Sequence, residues 1–507
     1  MNTYLLFFIA LAPIVWLMLS LGVLKMPGHK TCPITLIVTI LLAVSVWKMP
    51  IPHAMTATLE GITLGLWPIM LVIVAAVFTY NLSIHTKSMD VIKQMLTGIT
   101  TDKRILVLIL AWGFGSFLEA IAGFGTAVAI PASIMVALGF EPVFAAIICL
   151  IANTTPTIFG GIGIPTVTLA KVTNLDAAAL SYPIILQISI LSLIIPIVLV
   201  ILTGKSVKAI KGVLGVTLIS GLSFALPSFL AAKYMGAELP SLLGSIICMG
   251  TTILVTKLFY KDASTNDIEK VSMKKGIMAW LPFILVFLFI ILTTPLFPAI
   301  HNSLSSIKSS IPIYTGPNAK PFVFKWIATP GSLIIIATFL GGLIQGAKFN
   351  EIAGVFVQTC KQMTKTAVTI LSIIAIAKVM GYSGMIKSIA QVLVIITGDA
   401  YPIFAPIIGS LGTFVTGSVT SSNVLFGGLQ VEVAKSLGMN PYWLAAANGC
   451  GATAGKMISP QSIAVATAAI GMQGSEGKIL NATLKVCVVY VAFLGIISYF
   501  AAPLFGI

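Results

Sequence analysis

A single carboxylate, Glu119, lies deep in a long apolar stretch and is the residue best placed to do chemistry. Between Ile105 and Ala170 only Glu119 and Glu141 carry a charge, and Glu141 belongs to a Gly-Phe-Glu-Pro turn typical of a surface. An ionisable group inside an apolar segment is costly and indicates a functional site, here one that binds and releases a proton. The alternative is a structural carboxylate that pairs with a lysine or accepts hydrogen bonds from backbone amides.

Glycines follow Glu119 closely and favour a break in the helix. The segment reads Gly123-Phe124-Gly125-Thr126. A break frees backbone N–H groups, and the N-terminus of the helix that follows attracts anions. We therefore expect this segment to contact an anionic ligand. The alternative is a pair of glycines that only lets two helices pack closely.

A dense polar cluster, Thr416 to Asn423, interrupts a second apolar region. Every residue in it except Val419 carries a hydroxyl, an amide or no side chain. A bilayer tolerates irregular polar backbone only where protein or a water-filled cavity satisfies it. The cluster predicts the tip of a re-entrant hairpin that hydrogen-bonds a small polar ligand; the alternative is Ser/Thr contact between helices. The candidate binding residues are Ser418, Thr420, Ser421, Ser422 and Asn423.

Two further segments share a pattern of asparagine, glycines and proline. Asn153 precedes Pro165 by twelve positions, and Asn448 precedes Pro460 by the same distance. Each segment predicts a helix that unwinds in the middle of the membrane, where freed backbone groups bind ligands. The candidate binding residues in these segments are Asn153, Thr154, Thr155, Asn448, Ser459, Gln461 and Ser462.

Lys456 lies in the second of these segments and is the only charged residue between Lys435 and Glu476. It can bind a carboxylate as a point charge. It can equally pair with Glu119 when no ligand is bound. The alternative is a lysine that extends its ammonium group to the membrane interface.

The composition requires lipid as the main solvent for these elements. Of 507 residues, 58% are hydrophobic and only 8% are charged, whereas soluble proteins carry about 25% charged residues. The apolar runs suit helices of about 20 residues rather than the strands of a barrel. We interpret the first run as a retained helix rather than a signal peptide. The runs lie near 4–24, 32–49, 61–83, 181–203, 211–231, 239–258, 277–296, 330–347, 363–381 and 480–505.

The net charge of +15 comes almost entirely from lysines between apolar runs. This pattern is typical of cytoplasmic loops and argues against nucleic-acid binding. It predicts that the N-terminus lies outside and that loops 25–31 and 84–104 lie inside. The sequence has no Walker motif, no paired cysteines and no soluble domain long enough for an enzyme. We therefore expect no cofactor, no metal and no catalytic residue.

The order of elements recurs about 300 positions later in the chain. Run 61–83 is predicted to pass inward, whereas run 363–381, after an amphipathic stretch at 349–362, is predicted to pass outward. The predicted fold is an all-α polytopic membrane protein with two inverted-topology repeats, discontinuous helices and re-entrant hairpins. Its predicted parts are an N-terminal helix (1–31), a first transport repeat (32–203), connecting helices and loops (204–329) and a second, inverted repeat (330–507).

At these motifs the sequence resembles the bacterial L-lactate permease family. The matching stretches are Phe-Leu-Glu-Ala-Ile-Ala-Gly-Phe-Gly at 117–125, Asn-Thr-Thr-Pro at 153–156 with Gly-Ile-Pro at 163–165, Thr-Gly-Ser-Val-Thr-Ser-Ser-Asn at 416–423, and Gly-Lys-Met-Ile-Ser-Pro-Gln-Ser-Ile-Ala at 455–464. The last stretch is long and specific, and the similarity runs through most of the chain.

The resemblance implies a symporter of protons with lactate or glycolate in the bacterial inner (plasma) membrane. It also implies an ion-transporter-type architecture, with hairpin tips that meet near 119–126 and 418–423. The substrate carboxylate would lie between these tips and its 2-hydroxyl group would contact Asn153, Asn423 and Ser422, while Glu119 carries the proton. The expected partners are a small monocarboxylate, protons and the lipid bilayer, with a homodimer as a candidate assembly and no nucleic acid.

The chain departs from the family pattern near these motifs. The family pattern has an aspartate at the position of Val419 in this chain. It has glycine and alanine at the positions of Ala120 and Ile121, and alanine and proline at the positions of Thr126 and Ala127. Without the acid at position 419, the number of protons coupled to each substrate can differ from that of the family. The larger side chain of Ile121 can change the shape of the substrate pocket. Three alternatives stay open: a permease for another small organic acid such as glycolate, a Na⁺-coupled permease, and a membrane receptor or structural subunit.

Overall fold

The computed structural model describes residues 2–24, 26–97, 99–123, 125–260, 271–294, 296–317, 319–472 and 474–502, and this part of the chain is mostly helical. The first eleven helices are α1 (Thr3–Met18), α2 (Gly28–Ser45), α3 (Ile51–Leu64), α4 (Leu71–His85), α5 (Ser88–Thr97), α6 (Lys103–Val107), α7 (Gly115–Ile121), α8 (Thr126–Ala137), α9 (Pro142–Ala152), α10 (Gly160–Thr173) and α11 (Ala177–Thr203). Short π-helical turns at Leu19–Val23, Gly65–Met70 and Leu108–Phe114 extend α1, join α3 to α4, and join α6 to α7.

A middle section and a second set of helices complete the described chain. The middle section contains α12 (Leu214–Tyr234), α13 (Pro240–Phe259), α14 (Met273–Leu292), α15 (Pro298–Ser306) and the antiparallel strands β1 (Lys308–Ile311) and β2 (Phe322–Lys325). The second set contains α16 (Pro330–Ile344), α17 (Phe349–Ser383), α18 (Met385–Thr397), α19 (Tyr401–Thr416), α20 (Val419–Leu437), α21 (Pro441–Ile458), α22 (Pro460–Ala469) and α23 (Glu476–Phe500). Single 3₁₀ turns lie at Thr155–Phe159, Val207–Ile210 and Gly398–Ala400.

Many of these helices have the length and apolar character of membrane spans. Within the described residues eleven helices qualify, or twelve when the bent pair Pro142–Ala152 and Thr155–Thr173 is taken as one span. Large apolar side chains such as Phe8 and Val489 are about 70% exposed on the outside of the bundle. Such a surface is stable when lipid replaces water around it, which confirms the predicted all-helical membrane class.

Two hairpins form the centre of the bundle, and both turn at glycines. Helices α6 and α7 run into the first turn and α8 leaves it, where Gly123 and Gly125 have φ of 61° and 87°. Helix α19 meets α20 at Gly417, whose φ is 73°. Residues with a Cβ rarely adopt this left-handed conformation. The predicted helix breaks are therefore present at both positions, and Phe124 lies outside the described residues.

The two ends of the first hairpin meet on one side of the bundle. The ammonium group of Lys103, where α6 begins, donates a hydrogen bond of 2.6 Å to the carbonyl oxygen of Gly139, just beyond α8. The hairpin therefore enters and returns on the same side, as a re-entrant element does.

The two predicted unwound segments differ in their structure. The first opens through a 3₁₀ turn between α9 and α10, and then through a left-handed stretch at the start of α10 in which Ile162 has φ of 58°. The second breaks only at Ser459, between α21 and α22. Asn448 was predicted to lie in unwound backbone, but it is in continuous helix. Its side-chain amide donates to Asn423 Oδ1 at 3.1 Å, so it bonds to another side chain and leaves the helical backbone intact.

The second half of the chain repeats the order of elements of the first. Spans Ile51–His85 and Phe349–Ser383 are both 35 residues long. Each is followed by an amphipathic helix, a hairpin, a broken helix and a long final helix. The amphipathic stretch at 349–362 was expected to be separate from run 363–381, but the two form one helix because no proline or paired glycine interrupts them. The inverted relationship of the two sets across the membrane stays a prediction.

Candidate functional site

A cavity of about 460 Å³ lies where the two hairpin turns meet the broken helices. Predicted site residues that line it come from both halves of the chain: Glu119, Gly123, Gly125, Ser418, Thr420, Ser421, Lys456, Gln461 and Ser462. Residues of α17, including Thr366 and Thr369, close another wall, and exposed Pro27 of the loop between α1 and α2 lies at its edge. The structure thus brings together the hairpin tips that the sequence placed 300 positions apart.

Glu119 and Lys456 form an ion pair in the wall of this cavity. Lys456 Nζ lies 2.7 Å from Glu119 Oε1, and the side chains are 11% and 3% exposed respectively. Of the alternatives raised for Lys456, the structure therefore has the pair with Glu119 and not extension to an interface. Glu119 Oε2 is buried and has no hydrogen-bond partner among the described residues, so this oxygen is available to a proton.

The position of Glu119 is held by close packing against the first broken helix. A Cβ added at Gly160 would lie 2.7 Å from Glu119 Oε1 and 3.0 Å from its Cγ. Only a residue without a side chain leaves space there for the carboxylate in its present place. The sequence pattern predicts a helix break at the glycines of 160–163, but it does not show that Gly160 packs against the Glu119 side chain.

Three helix N-termini border the cavity. Helix α20 begins after Ser418, whose hydroxyl accepts a hydrogen bond of 3.3 Å from the N–H of Ser421. Helix α22 begins after Ser459, whose hydroxyl accepts from the N–H of Ser462 at 3.2 Å. Helix α8 begins after Gly125. Helix N-termini carry partial positive charge and free N–H groups, so together with Lys456 they make the cavity suited to a small anion.

Several predicted residues are buried near the cavity but are not among the described residues that line it. They are Asn153, Thr154, Thr155, Ser422, Asn423, Asn448 and Ser459, together with Thr126, which is half-buried. The hydroxyls of Thr126, Thr154 and Ser422 donate to backbone carbonyls at 2.7 to 2.8 Å. Phe124 lies outside the described residues.

A chain of buried amides links the second hairpin to both broken helices. Gln430 Nε2 donates to Asn448 Oδ1 at 3.3 Å, Asn448 donates to Asn423, and Asn423 Nδ2 donates to the carbonyl oxygen of Pro165 at 3.1 Å. These bonds fix α20 against α21 and α10. Asn153 differs, because neither atom of its buried amide has a hydrogen-bond partner among the described residues.

A second buried ion pair, which was not predicted from the sequence, joins α3 to α17. Lys378 Nζ lies 2.8 Å from Glu60 Oε1, and both side chains are 9% exposed. Each is the single acidic or basic residue of a long apolar run, since Glu60 stands alone between Lys48 and Lys87. The criterion that selected Glu119 would have selected Glu60 and Lys378 as well.

This geometry defines a class of protein: a multi-pass helical membrane protein of the permease type, with two hairpins around a charged cavity. The chain belongs to the L-lactate permease family, whose model matches residues 6–505. It is therefore a transport protein of the bacterial plasma membrane rather than an enzyme.

Two relatives in sequence and one solved structure with a similar fold illustrate what the chain resembles. An L-lactate permease of Streptococcus iniae is 56% identical over 439 residues, which cover 86% of this chain and 93% of that protein. The glycolate permease GlcA of Escherichia coli (strain K12) is 35% identical, with 98% of this chain and 96% of that protein covered. The antimetabolite efflux pump MtrF of Neisseria gonorrhoeae matches in fold with a TM-score of 0.51 at 13% identity, covering 94% of this chain and 96% of that chain.

Proposed function

We propose that this protein imports lactate or a related 2-hydroxy monocarboxylate together with a proton. The ion pair between Glu119 and Lys456 carries the proposal, because it places a protonatable acid and a carboxylate-binding base in one cavity. The names of the relatives support the substrate class: one is an L-lactate permease and another a glycolate permease.

Counting charges in the cavity gives a reason for coupling. When empty, Glu119 and Lys456 cancel each other. A bound carboxylate alone leaves the site with a net negative charge, and a bound proton alone leaves it with a net positive charge. With both bound, the carboxylate is paired with Lys456 and Glu119 is neutral. Because moving an uncompensated charge through a low-dielectric medium is costly, only the empty and the doubly loaded site cross the membrane readily.

Substrate binding and proton binding also assist each other directly. The incoming carboxylate competes with Glu119 for the ammonium group of Lys456. Once it has lost that partner, Glu119 is a buried carboxylate without a counter-charge, and it takes up a proton at Oε2. Linkage requires the reverse as well, so a protonated Glu119 leaves Lys456 free for the substrate.

The polar groups of the cavity then select a 2-hydroxy acid. The carboxylate contacts Lys456 and the helix N-terminus at Ser421. The 2-hydroxyl group contacts Thr420 and Gln461, which line the cavity. These residues take the role first expected of Asn153, Asn423 and Ser422, whose side chains lie behind the cavity wall in this conformation.

The cavity reaches the loop between α1 and α2, which the lysine pattern predicts to be cytoplasmic. We therefore assign this conformation to the inward-facing state. The two sets of helices act as inverted repeats, and the hairpins with their broken helices move against α17 to expose the site on the other side.

Uptake of labelled L-lactate into proteoliposomes that contain the purified protein tests the proposal. An inward proton gradient should drive accumulation, and a protonophore should abolish it. A Na⁺ gradient of the same size should drive none. Accumulation that follows Na⁺, or no flux of lactate or glycolate through folded protein, would overturn the proposal.

A further inference from the structure

A second cavity, of about 370 Å³, lies on the same contact surface as the first but further along it. Helices α10, α17 and α20 line both cavities. On α17, Ile373 lines the first and Ala377 the second, a separation of one turn, or about 6 Å along the axis. On α20, Ser421 lines the first cavity and Val424 lines the second. The two cavities therefore follow one path between the hairpin elements and α17.

The second cavity lies toward the side that we predict to be extracellular. It is bordered by the C-terminal ends of α10, α17 and α20, at Asn174, Ser383 and Lys435. The first cavity is bordered by Pro27 at the other end. A ligand that enters from outside meets the second cavity before it reaches Lys456.

Lysines dominate the charge of this cavity. Lys387 and Lys435 are exposed at its rim, and Lys378 is buried in its wall. Glu432 also lines it and lies 4.0 Å from the ammonium group of Lys435. When Glu60 behind Lys378 is included, one positive charge remains in excess. A recessed surface with excess positive charge attracts anions and raises their local concentration.

The buried ion pair is built so that Lys378 can exchange its partner. Tyr382 donates its hydroxyl hydrogen to the Glu60 carboxylate, with distances of 2.9 and 3.1 Å to the two oxygens. Tyr314 stacks on Tyr382 with ring centroids 3.8 Å apart and holds that ring in place. Glu60 therefore keeps a hydrogen bond when Lys378 turns toward a ligand. An ammonium group has three donors, and Glu60 takes one of them.

We propose that this second cavity is an outer docking site for a small monocarboxylate, with Lys378 binding the carboxylate on its way to Lys456. The aromatic ring of Tyr382, 5.6 Å from Lys378 Nζ to the ring centroid, provides an apolar contact for the carbon chain. Lys387 and Lys435 draw the anion to the opening. The inference rests on the proposed function, since it takes the same class of substrate.

The test measures half-saturation for L-lactate separately from each face, in right-side-out and inside-out vesicles that contain the full chain. The Lys378→Gln variant should raise the KM at the extracellular face about tenfold, equivalent to 1.4 kcal/mol. The KM at the cytoplasmic face should stay within about twofold of wild type, because Lys456 is intact. Lys378→Arg, which keeps the charge, should restore the outer KM. Lys365→Gln, on an exposed part of the same helix, is the matched control and should change neither value.

A purely structural role for Lys378 predicts a lower maximal rate from both faces with unchanged KM, and that result would overturn the proposal. If Lys378→Gln fails to insert, the double variant Lys387→Gln/Lys435→Gln replaces it, since both side chains are exposed. It should raise only the outer KM, by about two- to threefold, and an unchanged outer KM would again overturn the docking site. Absence of lactate flux in the wild type would instead refute the proposed function itself.

Discussion

Lys456 Nζ lies 2.7 Å from Glu119 Oε1, although 337 positions separate the two residues in the chain. Glu119 lies in α7, which runs into the first hairpin turn, and Lys456 lies in the last turn of α21 in the second set of helices. The contact joins the two halves of the protein by a buried charge pair.

Replacement of Glu119 by glutamine should abolish pH-driven accumulation of lactate but spare exchange of lactate across the membrane. In Glu119→Gln the empty site keeps the positive charge of Lys456, so its return across the membrane is slow. With a carboxylate bound the site is neutral, so the loaded site still changes its accessibility from one side to the other. Counterflow and net uptake in the same proteoliposomes separate the two effects. Asp399→Asn, on the exposed surface, should behave as wild type. Unchanged accumulation in Glu119→Gln would remove this residue from the mechanism.

The ion pair should show strong coupling in thermal unfolding. Either Lys456→Gln or Glu119→Gln leaves one charge buried without its partner, which costs about 3–5 kcal/mol. The double variant should unfold at a higher temperature than either single variant. The control is a double-mutant cycle on Lys93 and Asp90, which form an exposed ion pair at 3.8 Å. Its coupling free energy should be below about 1 kcal/mol. Additive effects of the two buried substitutions would contradict a direct pair.

Transport should respond to the pH gradient and not to the membrane potential. The empty and the doubly loaded site are both neutral, so neither translocation step moves net charge. Imposing an inside-negative potential with K⁺ and valinomycin at equal pH should leave the initial rate of lactate uptake unchanged. A rate that rises with the potential would indicate more than one proton for each lactate, and an acid in addition to Glu119.

Substitution of Gly160 by alanine should reduce the rate of lactate uptake roughly tenfold, which corresponds to an increase of about 1.4 kcal/mol in the activation free energy. The backbone there, with φ of −69°, accepts alanine, so the effect arises from the added Cβ, which displaces the Glu119 carboxylate. The control Gly354→Ala lies in α17, where the new Cβ would have no described atom within 4 Å apart from its chain neighbours and the backbone of its own helix. Wild-type uptake in Gly160→Ala would show that the position of Glu119 tolerates displacement.

The chemistry of this site was largely predictable from the sequence because charge is scarce in it. Glu119 and Lys456 are isolated charges in apolar segments, and isolated charges in a membrane need a partner. The turns at Gly125 and Gly417 were predictable for a similar reason, since a left-handed turn at these points requires residues without a Cβ. Local rules therefore identified the hairpins and the pair.

The remaining features depend on contacts between distant elements. The sequence does not show that the Asn448 side chain reaches Asn423, and this contact lets its helix stay intact where a break was predicted. Nor does it show that α17 forms a wall of both cavities, because that wall exists only when the hairpins pack against it. Glu60 and Lys378 are also isolated charges in apolar runs, but they belong to no sequence motif that indicates a site.

The separation of Glu119 from Lys456 has a consequence for biogenesis. At about 5–20 residues per second, a ribosome needs roughly 20 to 70 s to synthesise the 337 positions that separate them. During that time the first hairpin is complete, but its carboxylate has no lysine. The first hairpin can therefore reach its final packing, with Glu119 paired, only after α21 has been synthesised. A chain truncated before α21 would lack Lys456, and its buried Glu119 would have lost the partner that it has in the full protein.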